Sequence, residues 1–246
     1  MGEHTIREIL KRRSPETQRA MERRRKLAGG GSVRESMMPK LILGLVVLAL
    51  LAGIGYFGYM AHDAGQRFAA DKASRSGANV LSLADTTEFL PNTLLAAMDP
   101  GFYGSSGLNG AGLTHRLLRL YYPQASAIEI RIMAVALEAQ YAKTDIMEAL
   151  INDAPMSGDA AHPVKGLAAA SQYYFGKPFA QLAPQDMALL VAILNDPRLD
   201  PRQQADRAMG ARNAVLQADV QQNVLKQLQV DGLSKLPLDV IPQPKP

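Results

Sequence analysis

The sequence predicts a mainly α domain carried behind a single N-terminal transmembrane helix. Three observations point there. Residues 41–60 (LILGLVVLALLAGIGYFGYM) are twenty consecutive uncharged residues, which as a helix reach about 30 Å, the hydrocarbon thickness of a bilayer. Farther on, apolar residues recur at helical spacing, as in Ile128, Ile132, Val135 and Leu137. No run of period two suggests a strand.

Residues 1–40 form a basic head with 11 Lys/Arg against five acids. The whole chain carries only +4, so residues 41–246 sum to −2. Basicity belongs to the head, and no nucleic-acid-binding domain is expected. Lys/Arg flanks stay on the cytoplasmic side, which places the head inside and residues 61–246 across the membrane. A cleaved signal peptide fits poorly, because the apolar run exceeds 7–15 residues and no small-x-small site follows it. Ser14-Pro15-Glu16 should open a helix to about Lys26, whose cations add about 1 kcal/mol each beside anionic lipid. The expected partner of the head is therefore the inner membrane. Gly29-Gly30-Gly31-Ser32 reads as a flexible joint.

Residues 61–84 are small and polar, which reads as a stalk. The domain is placed at 85–220, with residues 221–246 as a helix end and a proline-rich tail (PLDVIPQPKP) outside the core. Helices are expected after Pro91-Asn92 to Met98, over Ala125–Tyr141, over Asp145–Asn152 capped by Thr144, over Val164–Phe175, over Pro184–Leu194 and over Gln203–Leu228. Phe102, Tyr174, Phe175 and Leu190 are expected in the core. Cysteine is absent, which excludes disulfides and thiolate metal sites. The four histidines (His4, His62, His115, His162) lack ligand spacing. No metal and no cofactor is expected.

The segment Ala170–Leu216 contains Tyr174-Phe175-Gly176-Lys177, Leu182, the apolar run Met187–Leu194, a proline-bearing loop and Arg212-Asn213-Ala214-Val215-Leu216. Upstream stand Lys143, Ile146, Leu150 and Asn152, and before them Met98-Asp99-Pro100-Gly101-Phe102-Tyr103-Gly104-Ser105-Ser106-Gly107. In order and spacing these pieces resemble the family 51 peptidoglycan glycosyltransferase domain of class A penicillin-binding proteins, 1b type, over about residues 85–220. The resemblance implies a lysozyme-like helical fold and a lipid II substrate.

It also implies a reacting centre that this chain has lost in part. The family's first motif carries a proton-accepting glutamate, and Met98 stands in its place; methionine cannot take a proton. A positioned base is worth about 10²–10⁴ in rate. The third motif, Arg-Lys-x-x-Glu, falls on Ser126-Ala127-Ile128-Glu129-Ile130, so both cations are missing and Ile130 replaces the aligned acid. Glu129 lies one residue out of register. The second motif has only a debatable counterpart over Gly110–Leu117, and the mobile stretch between motifs has almost no room between Gly107 and Gly112.

Asp99 and Glu129 are the acids from which a rebuilt site could draw. Asp99 sits one helical step, about 100°, from Met98, which favours a capping role. His115, Arg116 and Arg119 form a basic turn able to hold a phosphate or a glycan carboxylate. With Lys143, Asn152 and Arg212 they are the substrate-binding candidates. The expectation is a bacterial inner-membrane pseudoenzyme that binds glycan or scaffolds an envelope machine of unknown composition. An active or residual lipid II polymerase is the alternative.

Overall fold

In a computed structural model, the described residues are 19–20, 22–24, 32–75, 80–107, 112–157 and 163–242, with side chains described from residue 37 onward in the long first helix. The predicted head helix and the Gly29–Gly31 joint fall mostly outside them, as does His162. The chain resolves into two compact units, Met1–Tyr56 and Phe57–Pro246.

Helix α1 is Ser32–Ser74. It is long and apolar enough to cross a membrane, with a mean hydropathy of 2.4 in its most apolar window and none of that window buried. Leu41, Leu43, Leu45, Leu48 and Leu51 are all exposed, an arrangement that water would penalise and lipid would not.

In the second unit the expected stalk is a packed part of the domain. Residues 61–74 continue α1 as helix, and Ala64 and Phe68 are fully buried in the main hydrophobic cluster. The ring of Phe68 meets that of Tyr141 at 4.5 Å. Tyr122 Oη donates to Asp63 Oδ2 at 2.7 Å, and Tyr141 Oη donates to the Gly65 carbonyl at 3.0 Å. Arg75, just past the helix, bonds Asp153 Oδ2 at 2.8 Å, and the Tyr121 hydroxyl lies 2.9 Å from the same oxygen. The segment looks polar in sequence because one face is wet, while the other supplies core.

Eight further helices follow among the described residues: α2 Phe89–Met98, α3 Leu113–Tyr121, α4 Ala127–Gln140, α5 Lys143–Asp153, α6 Leu167–Phe175, α7 Pro184–Asn195, α8 Ala205–Gln221 and α9 Gln227–Leu233. No strand occurs among those residues, only an isolated Pro155–Lys165 bridge. The protein is mainly α, as the periodicity predicts. Helix α7 is the central rod. Every residue from Met187 to Leu194 is buried, and it packs against α2 and α8. Helix α3 packs on α4 and α5. Phe102, Tyr174, Phe175 and Leu190 are all in the core.

Local chemistry sets the boundaries. Pro184 occupies the first turn of α7, where its missing N–H costs nothing. Gly176 ends α6 at φ +63°, a left-handed position that glycine adopts without strain. Helix α5 starts at Lys143 with Ala142 as N-cap, so Thr144 lies inside the first turn and does not cap it. The single helix expected over Gln203–Leu228 is broken after Gln221, where Asn223 has φ +60° and the chain restarts as α9.

The proline-rich tail also joins the domain. Ile241 N–H donates to the Tyr174 carbonyl at 2.8 Å, and Leu238 and Val240 pack against the core. Arg202 Nε reaches the Ile241 carbonyl at 2.9 Å while its guanidinium stacks over Tyr173 at 4.2 Å.

Candidate functional site

A groove of about 370 Å³ lies between α3 and α4, lined by Gly112, His115, Arg116, Arg119, Ala127, Ile130 and Arg131. Its size suits a small ligand, for which such sites run from about 300 to 1,000 Å³. Three arginines and a histidine face no carboxylate in this lining.

Helix α3 supplies the basic wall. The sequence treats these residues as a turn; the structure makes them one amphipathic helix, with Leu113, Leu117, Leu118 and Tyr121 buried on the opposite side. Its first turn rests on Asp99, whose Oδ2 accepts the Leu113 N–H at 3.1 Å. A negative charge at a helix start is favourable, since the unpaired N–H groups there carry partial positive charge. A Cβ at Gly112 would collide with that carboxylate.

Helix α4 supplies the floor and the opposite wall. It opens with a capping box: Glu129 N–H donates to Ser126 Oγ at 3.3 Å, and Ser126 N–H donates to Glu129 Oε2 at 2.6 Å. Ser-x-x-Glu is the sequence signature of this device, so the one acid left in the third-motif region is engaged in starting the helix. Ile130 is buried and forms the floor with Ala127. The loop before α3 approaches α4 closely at Gly107, where φ is +73° and a Cβ would sit 2.7 Å from the Ala134 carbonyl carbon. Residues 108–111, on which the expectation of almost no room between motifs falls, lie outside the described residues.

His115 is buried, and its Nε2 has no hydrogen-bond partner. Burial holds the imidazole below its ordinary pKa; Arg131 and Arg119 push the same way, against Glu138 and Asp99. At neutral pH it is an uncharged ring. Arg116 keeps its charge in the groove but spends donors elsewhere: its Nη1 donates to the carbonyls of Leu194 and Asn195 at 3.2 and 2.9 Å, and its Nη2 to Asn195 Oδ1 at 2.6 Å. It caps the C-terminus of α7. Arg119 donates through Nη1 to the Ala125 carbonyl at 2.5 Å. Arg131 is exposed and makes no hydrogen bond or ion pair with the described residues; sequence reasoning missed it because the expected cations belong one turn earlier, at Ser126 and Ala127.

The other binding candidates lie elsewhere. Lys143 Nζ pairs with Glu138 Oε2 at 3.0 Å, donates to the Ser105 carbonyl at 2.6 Å and to that of Phe102, and sits 4.8 Å over the Phe102 ring. Glu138 in turn accepts from Thr114 Oγ1 at 2.5 Å. Asn152 bonds both backbone groups of Leu81 at 2.8 Å and the Glu148 carbonyl. Arg212, fully buried, ties down the chain end through the carbonyls of Ser234 and Leu236 at 3.0 and 2.8 Å. Met98 ends α2, half-buried against the core. No cluster of three or more potential metal ligands occurs among the described residues.

The described residues combine a helical domain bearing a basic groove with one helix long and apolar enough to cross a membrane. Residues 125–220 match the family model described as transglycosylase. Penicillin-binding protein 1B of Escherichia coli (strain K12) is 29% identical over 185 residues, covering 63% of this chain and 22% of that one. The 1C protein of the same organism is 32% identical over 142 residues, 56% of this chain and 18% of that one. A crystal structure of penicillin-binding protein 1A from Haemophilus influenzae aligns at 20% identity with a TM-score of 0.46, over 67% of this chain and 18% of that chain. Over residues 125–220 the chain thus has a transglycosylase-type segment, and it is similar to the penicillin-binding 1B proteins. It spans about a fifth of the length of the relatives it matches.

Proposed function

We propose that the protein is a membrane-anchored member of this family that no longer polymerises lipid II and instead binds glycan, or scaffolds other envelope proteins, at the bacterial cell wall. One observation carries the reading. The two acids from which a rebuilt site could draw are both engaged at helix starts, Asp99 on the Leu113 N–H and Glu129 in the Ser126 capping box, while Met98, Ser126, Ala127 and Ile130 occupy the positions where the resemblance calls for charge. Releasing either acid for proton transfer would cost the cap, about 1 kcal/mol, and would still leave the leaving group without its cations. Contacts that bind substrate without favouring the transition state can outlast the chemistry.

Purified full-length protein incubated with lipid II should form no glycan polymer, and Met98→Glu should stay inactive. Polymer made by the unmodified protein and abolished by Asp99→Ala or Glu129→Ala would establish a rebuilt active site and overturn the reading. Retention on isolated sacculi is the positive test. The head is proposed to lie in the cytoplasm against anionic lipid and the domain outside, since the Lys/Arg excess precedes the apolar run. A reporter active only outside the cytoplasm, fused after Pro246, should give signal.

A further inference from the structure

The groove's chemistry narrows the ligand, given that glycan binding is the right reading. Of its three arginines, Arg116 spends donors on the end of α7 and Arg119 one on the Ala125 carbonyl, while both keep their charge. Arg131, which makes no hydrogen bond or ion pair with the described residues, offers the five donors of its guanidinium. His115 is neutral. Glu138, the buried acid nearest His115, is balanced by Lys143. The groove thus offers one unspent guanidinium, a second in part, and an apolar floor of Ala127 and Ile130.

We propose that this groove binds a glycan bearing free carboxylates, such as the lactyl acid of the wall sugar once its peptide has been removed, with Arg131 as the bidentate donor. A planar guanidinium fork matches a single carboxylate in geometry and charge. The C–H face of a sugar ring suits the Ala127–Ile130 floor. Arg131 is the lining cation whose donors are open, and one guanidinium fork takes one carboxylate.

The test uses the full-length protein in detergent and three probes: peptide-free glycan strands, the same strands with their carboxylates converted to amides, and inorganic pyrophosphate. Strands with free acids should bind about ten-fold or more tightly than the amidated ones, and Arg131→Gln should erase that preference, a loss of the size a charge-assisted pair contributes. Arg198→Gln, an exposed arginine outside the groove, should leave it intact. Equal binding of both strands, unchanged in Arg131→Gln, would overturn the carboxylate site while leaving glycan binding standing. Pyrophosphate binding that Arg131→Gln abolishes, without any strand preference, would overturn it in favour of a phosphate site. If no strand binds, both this inference and the glycan reading fall. Because Arg131 is exposed, circular dichroism of Arg131→Gln should match the parent.

Discussion

Thr93 Oγ1 donates to Asp219 Oδ2 at 3.1 Å across the contact between α2 and α8, with both residues fully buried. The other carboxyl oxygen, Oδ1, has no partner. Burial pushes this acid up to about 6, and the bond from Thr93 opposes the shift only in part.

The consequence is an acid-favoured fold over a defined window. Unfolded aspartate titrates near 3.9, so the native state holds this proton more tightly than the unfolded chain. The group's contribution is full below about pH 4 and is lost as pH rises through about 6. Thermal unfolding should show the melting temperature falling between about pH 4 and 6 and levelling above it. Asp219→Asn should flatten that slope and gain about 1–3 kcal/mol at pH 7 relative to pH 4. An unchanged slope would assign the window to other groups.

Phe68→Ala should cost about 3–5 kcal/mol, the usual range for emptying a buried aromatic site. A fragment beginning at Leu81 loses Phe68, Ala64 and Arg75 together, and should be far less stable to urea than one beginning at Phe57. Equal midpoints for the two fragments would mean that 57–74 is dispensable.

Lys143→Met should cost about 3–5 kcal/mol, because the Glu138 side chain, 6% exposed, is left as an unpaired buried charge. Adding Glu138→Gln should restore much of the loss. A double variant no better than the single would assign the cost to the Phe102 and Ser105 carbonyls that Lys143 also serves.

Ser126→Ala should cost about 1 kcal/mol through the capping box, read as a shift in urea midpoint, and should leave glycan binding unchanged.

Periodicity and punctuation made much of the fold legible. Pro184 opens α7 and the unbroken apolar run after it can only be a buried rod; Ala125–Tyr141 is wrong by no more than two residues at its start. Helix α3 was not legible, since glycines before it and His115-Arg116 inside it read as a turn, and its first turn depends on Asp99, fourteen residues away. Glu129 shows how a local signal can be masked: Ser126-x-x-Glu129 is a capping signature, yet it also lies one residue from the acid position of a catalytic motif. The duties of Arg116, Asn152 and Arg212 had no local signal at all, because each satisfies backbone groups on a distant segment. A cation drawn to a carbonyl at a helix end and one awaiting a phosphate look alike in a string of letters.

The engagement of Asp99 and Glu129 at helix starts has an evolutionary side. Each acid now has a maintenance duty, so a mutation that frees it for another task first loosens α3 or α4. Turning either acid into a proton carrier would require a substitute cap to arise as well. A cap of this kind acts as a ratchet, because freeing the acid costs the helix before it gains anything.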